Sequence, residues 1–203
     1  MKLKITLPEN ISDITLKQFQ RYSKLISLDN VPEIDFIKRK VEIFTGVSFK
    51  DLDNVSQKDF IEMSEQIDKA LNEDSKFVDR FTLEGVEFGF IPNFDKITTK
   101  EFVDISLYPL EQIENFHKLM AILFRPVDKK DSFGNYSIKN YNGTEQYGEL
   151  MKRTPMNIVN GALVFFYLLA KELQISTQRY MVQEVAKEQK HQTILQNGDG
   201  IQL

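Results

Sequence analysis

Two histidines, His117 and His191, are the side chains in this sequence best suited to acid–base work or metal binding. His117 lies inside ENFHKLMAILF, between aromatic and aliphatic neighbours, and His191 stands at the end of the last helical pattern. Neither has a second histidine or a carboxylate at the spacing that sets two ligands and a base on one helix face. Helix packing is therefore the reading for His117. Asn197–Gly200, NGDG, resembles a piece of a calcium loop but lacks the alternating oxygen ligands and the closing glutamate. There is no Gly-rich phosphate loop ending in Lys-Ser/Thr, no nucleophile-elbow serine and no dinucleotide glycine pattern. Acid pairs such as Asp51 and Asp53 suit solvated turns. Lys38-Arg39-Lys40 is a basic triplet on a helix that also carries Ile37, Val41 and Phe44, and it reads as a solvated face. No catalytic residue, metal, cofactor or small-molecule substrate is expected.

The balance of the chain agrees. A formal net charge of −4 gives no electrostatic reason to bind nucleic acid, whose recognition needs a basic surface to release counterions. The chain has 203 residues, 41% apolar and 28% charged, with no cysteine, which is ordinary for a globular protein with one good core. MKLKITLPEN has no apolar centre of the kind a signal peptide needs. The most apolar run, Ile158 to Ala170, is broken by Asn160 and Gly161 and falls short of the roughly 20 residues that span a bilayer. A soluble chain without a membrane partner is expected.

The elements that position these residues follow from period and punctuation. Lys2 to Leu7 alternates and stops at Pro8, which predicts a short strand. Helices are predicted from Leu16 to about Leu28, from Pro32 to about Phe44 with Gly46 closing it, and from Gln57 to about Leu71. The period then changes, and FVDRFTLEGVEFGFIP predicts a hairpin of Phe77–Leu83 against Val86–Ile91 across Glu84-Gly85. Helix returns after Thr98, again from about Leu110 to Phe124, from Pro155 to about Leu173, and from Thr177 to about Gln189. Residues 125–143 read as a looser hairpin or a long exposed loop. The expected fold class is α+β: a predominantly helical single domain over 1–190, with one or two β-hairpins and a flexible tail over 191–203.

One phrase occurs three times: ITLKQFQRYS from Ile14, VSQKDFIEMS from Val55 and ITTKEFVDIS from Ile97. Thr15, Ser56 and Thr98 occupy N-cap positions, with Gln18, Asp59 and Glu101 three residues on. That is the capping box, imperfect at Asp59, which is one methylene short. Ile14, Val55 and Ile97 precede the caps, and Phe19, Phe60 and Phe102 stand at N4, which makes a hydrophobic staple. Nothing outside the phrase recurs, so it is helix-start grammar and not a solenoid repeat.

Two apolar features remain. In TPMNIVNGALVFFYLLAKEL the residues after Pro155 leave almost no polar face, so the helix is either central to the core or shared with a partner. The central core helix is the expected role, with Phe165 and Phe166 as contacts in the alternative. Within 125–143, Phe133, Tyr136, Ile138 and Tyr141 would be left wet by a free loop. They are candidate partner contacts, against a self-contained hairpin that packs Tyr136 and Ile138 onto its own domain.

Three stretches, GFIPNFDKITTKEFVDI (Gly89–Ile105), FHKLMAILFRPV (Phe116–Val127) and YGELMKRTPMNIVNGALVFFYLLAKEL (Tyr147–Leu173), occur in an order that carries a resemblance. Together they resemble small proteins encoded among the structural and tail-assembly genes of tailed bacteriophages, including phages of the Bacteroidetes and the crAss-like group. The resemblance spans roughly Phe88 to Leu173 and brings no catalytic residues with it. It implies a component working through protein–protein contacts with phage structural proteins and with copies of itself. The expected form is a ring or connector subunit of the neck or tail, assembled in the host cytoplasm and kept in the virion. The other is a tail-assembly chaperone that binds a tape-measure or tail protein, stays in the cytoplasm and is absent from the mature particle.

Overall fold

Glu84 and Gly85 both have positive φ, 49° and 77°, the backbone that a two-residue hairpin turn needs to match the twist of its strands. They join strand β1 (Arg80–Leu83) to β2 (Val86–Phe90) in the register Leu83↔Val86 through Arg80↔Gly89. A computed structural model of the protein describes residues 5–168 and Lys171. Within it, β2 also pairs with β3 (Phe124–Lys130), and β3 pairs with β4 (Tyr136–Ile138). All pairings are antiparallel, in the order β1-β2-β3-β4. Residues 125–143 thus contain a second hairpin, which joins the first in one sheet.

The helices are α1 (Leu16–Ile26), α2 (Glu33–Thr45), α3 (Gln57–Leu71), α4 (Thr99–Leu107), α5 (Phe116–Leu123), the short α6 (Gly148–Met151) and α7 over 156–168. The fold is a predominantly helical α+β fold with one antiparallel sheet. Thr15 and Thr98 form reciprocal capping boxes with Gln18 and Glu101, whereas Ser56 accepts from the Asp59 amide with no reciprocal bond. Gly46, at φ 75°, ends α2.

Three expectations need correction. The predicted strand at Lys2–Leu7 is not present over 5–7. Just after it, the Gln66 amide donates to the Pro8 and Glu9 carbonyls at 3.2 and 3.5 Å. The helix expected over Leu110–Phe124 is shorter, since 113–115 form a 3₁₀ turn and Phe124 is already strand. Pro126 keeps Arg125 out of the helix, as expected, and Phe124 leaves it one residue earlier because it pairs with Phe90 in the sheet. The expected central role of the Pro155–Leu173 helix belongs instead to α5, in which every residue but Lys118 is buried.

α7 is buried over its first two turns, through Met156, Ile158, Val159 and Ala162. A Cβ on Gly161 would come within 2.3 Å of the Lys76 carbonyl oxygen, so only glycine lets this helix lie against that backbone. The N-terminus of α7 is also tied to the start of α1: the Leu16 amide donates to the Thr154 carbonyl at 2.9 Å, and the Met156 amide to Ile14 at 2.8 Å. The chain falls into two compact units, Met1–Ala162 and Leu163–Leu203, the boundary lying inside the 1–190 span expected as one domain. In the second unit, Val164, Tyr167 and Leu168 are exposed. The expected Thr177–Gln189 helix and the 191–203 tail lie outside the described residues.

Candidate partner surface

The β3–β4 turn is built around one carboxylate. Asp131 accepts from the Phe133 and Asn135 amides at 2.9 Å each, and from the Asn135 side chain at 2.7 Å. These donors, the Asn135 side chain foremost, hold the Asp131 carboxyl below its ordinary value. Gly134 supplies the left-handed step at φ 89°. Phe133 is lifted to the tip of this turn, where it is 90% exposed.

The other three candidates of that segment turn inward. The Tyr136 ring crosses Gly89, where a Cβ would sit 2.4 Å from its Cε2. Its hydroxyl donates to the Phe90 carbonyl at 2.9 Å, and Arg80 lies 5.2 Å from the ring centre. Burial raises its pKa, with the nearby Asp79 adding to the effect. Ile138 closes in on the same side of Gly89, its Cγ2 3.2 Å from where that Cβ would be. The Tyr141 hydroxyl donates to Asp104 at 2.6 Å, and its ring faces the cations of Lys100 and Arg125 at 5.5 and 5.9 Å. Burial and then the Asp104 bond push the Tyr141 phenol far above its usual range.

Tyr141 and Asp104 belong to a polar latch that holds α4. Glu101, 2% exposed, is the one buried residue of this helix. One of its oxygens caps the Thr98 amide at 2.6 Å, while the other lies 2.7 Å from Arg125. Burial eases the Arg125 proton off, and the facing Glu101 opposes that shift. On the outward face, Phe102, Val103 and Leu107 are 62%, 48% and 60% exposed. The staple predicted for this helix is therefore not closed over Phe102. α4 buries Glu101 and turns Phe102, Val103 and Leu107 outward, with Ile105 half-buried, which departs from an ordinary surface helix.

Periodicity alone could not have found this arrangement. Phe102, Val103 and Leu107 form a normal apolar stripe, and only the positions of Arg125 and Tyr141 decide which side faces the body. Phe165 is 37% exposed and Phe166 is half-buried, both in the second unit. Ile26, Leu28 and Ile34, around the α1–α2 connection, are also exposed.

Of the residues weighed for chemistry, His117 and the basic triplet have structural partners, while His191 and Asn197–Gly200 lie outside the described residues. His117 is buried, and its Nδ1 lies 3.2 Å from the Gln20 amide nitrogen, which also donates to the Ile113 and Glu114 carbonyls. Burial lowers its pKa, with Lys152 acting in the same direction. Of the basic triplet, Lys38 pairs with Asp53 and Arg39 lies over Phe49. Lys40, expected on a solvated face, is instead buried and bonds both Asp68 oxygens at 2.8 and 2.7 Å. Among the described residues no group of three or more His, Cys, Asp or Glu is placed to hold a metal ion, and no helix is long and apolar enough to cross a membrane. No protein-family model, no curated protein and no solved structure matches the chain.

Proposed function

We propose that this protein works in the assembly of a tailed bacteriophage particle, through contacts with other proteins and without chemistry on a small molecule. The phage context comes from the resemblance of Gly89–Ile105, Phe116–Val127 and Tyr147–Leu173. The contact role is supported by α4: its apolar residues face outward while its buried residue is a glutamate. Burying an acid to expose a phenylalanine costs folding stability, and the cost is intelligible when a partner covers the apolar face.

Of the two forms, the tail-assembly chaperone is the better supported. A ring or connector subunit would use residues 125–143 as an arm reaching a neighbouring subunit, and most of that segment, Tyr136, Ile138 and Tyr141, is engaged by its own domain. What is offered outward is helical: Phe102, Val103 and Leu107 on α4, and Val164, Tyr167 and Leu168 on α7. Helix faces of this kind suit an apolar helix of a client protein. Phe133 alone favours the ring subunit, as a knob that could enter a groove on a neighbouring copy.

Mass spectrometry of purified particles, beside affinity capture from infected cells, separates the two. A chaperone is absent from particles and captured with tape-measure or tail protein. A ring subunit is present in particles in many copies. Absence from both particles and tail-protein complexes overturns the proposal.

A further inference from the structure

Asn-Gly occurs three times in the chain, at Asn142-Gly143, Asn160-Gly161 and Asn197-Gly198. The pair has a reactivity of its own. The backbone nitrogen of the glycine can attack the asparagine side-chain carbon, and glycine has no Cβ to hinder the approach. Folding decides whether that attack is open, because the ring closes only at a backbone torsion outside the helical range. The third copy lies outside the described residues, and the other two stand in opposite surroundings.

Asn160 lies inside α7, where its backbone is helical and the Gly161 amide is engaged by the carbonyl one turn earlier. Gly161 is also pressed against the Lys76 carbonyl oxygen, which is 2.3 Å from where a Cβ would be. Neither the torsion nor the nitrogen is open to reaction unless this helix opens.

Asn142 lies in irregular backbone between β4 and α6, and it is exposed. Among the described residues, neither its side chain nor the Gly143 amide makes a hydrogen bond. Both residues border a cavity of about 150 Å³, ample for the water that the second step consumes. Lys100 and Glu145 reach the same peptide, with Nζ and Oε2 at 3.7 and 2.6 Å from where a Cβ on Gly143 would be. Their opposite charges offset each other there.

We propose that Asn142 is a site of spontaneous deamidation in the folded protein, and that the fold protects Asn160. The Gly143 nitrogen loses its proton to solvent base and bonds to Cγ of Asn142, whose amide group leaves as ammonia. Water then opens the resulting succinimide at either carbonyl, giving aspartate or isoaspartate. The net change is a water consumed and an ammonia released. The reaction needs no partner and does not depend on the function proposed above. Its product sets a new carboxylate near Lys100, on the first turn of α4. It also lies next in sequence to Tyr141, whose hydroxyl donates to Asp104 of the same helix. Copies of the protein are thereby marked by age beside the helix whose apolar face is outward.

Peptide mapping of the full chain tests this after incubation for days at pH 8, folded or in urea. Asn142 and Asn160 fall on different tryptic peptides, Asn140–Lys152 and Thr154–Lys171. Fragment spectra then assign a gain of about 1 Da to a single residue. In urea both sites should react. In the folded chain Asn142 should react within about tenfold of its rate in urea, and Asn160 at least about a hundredfold more slowly than in urea, since it waits on local opening. Isoaspartate should form beside aspartate, and Asn142→Gln, whose longer side chain cannot close the five-membered ring, should remove the product. Equal protection of the two sites in the folded chain, or equal reactivity, overturns the proposal. Aspartate without isoaspartate does so too, because it would mean direct hydrolysis with no ring.

Discussion

His117 has one charge state that its surroundings suit. Its Nδ1 lies 3.2 Å from the Gln20 amide nitrogen, and burial, with Lys152 acting in the same direction, disfavours the imidazolium. Its folded pKa lies below the unfolded value of about 6.5. The neutral ring therefore contributes stability that is fully present above that unfolded value and is lost as pH falls towards and through the folded one. Urea midpoints should drop between pH 7.5 and pH 5, and His117→Gln should lessen the drop. An unchanged slope in the variant would show that other groups cause it. Glu101 makes a second test. Glu101→Gln keeps an acceptor for the Thr98 amide but leaves the Arg125 charge uncompensated, and breaking a buried pair from one side costs about 3–5 kcal/mol. The side chain of Arg125 is slightly open to solvent, so about 3 kcal/mol is expected by chemical denaturation.

At the scale of elements, α4 and α7 answer differently to substitution. Phe102→Ser on the exposed face of α4 should leave the melting curve within about 0.5 kcal/mol of the parent, as surface changes do, while capture of the partner is lost. Gly161→Ala drives a methyl into the Lys76 backbone and should cost about 1–3 kcal/mol, as overpacking does. Phe166→Ala should cost well below the 3–5 kcal/mol of a fully buried Phe→Ala change, because Phe166 is half-buried. Caps, turns and helix positions were legible in the sequence because they are local. Thr15, Gly46 and Glu84-Gly85 act within a few residues of themselves. The joining of two hairpins into one sheet was not legible, because Gly89↔Arg125 is a pairing between distant residues. The outward face of α4 was hidden for the same reason, since Glu101 and Arg125 meet only in the fold.

For the whole molecule, the partner surface should come apart from the folded body. Removing Asp128 to Ser137, a natural first test of the hairpin, would also remove Tyr136 and with it the ring that covers Gly89. Unfolding is the expected result, and it would say nothing about partners. Phe133→Ser is the cleaner change: stability should hold by calorimetry. Loss of ring formation on a sizing column would restore the connector reading, while unchanged assembly with loss of client binding only in α4 variants would support the chaperone.

The backbone hydrogen bonds that tie Ile14 and Leu16 to Met156 and Thr154 also set a clock. While the chain is being made, α1 can form but cannot be fastened until the segment around Pro155 has left the ribosome. At roughly 5–20 residues per second, that wait is on the order of ten seconds. For that interval Leu16, which the finished fold buries, lacks the segment its amide is tied to and is open to whatever protein is being synthesised beside it.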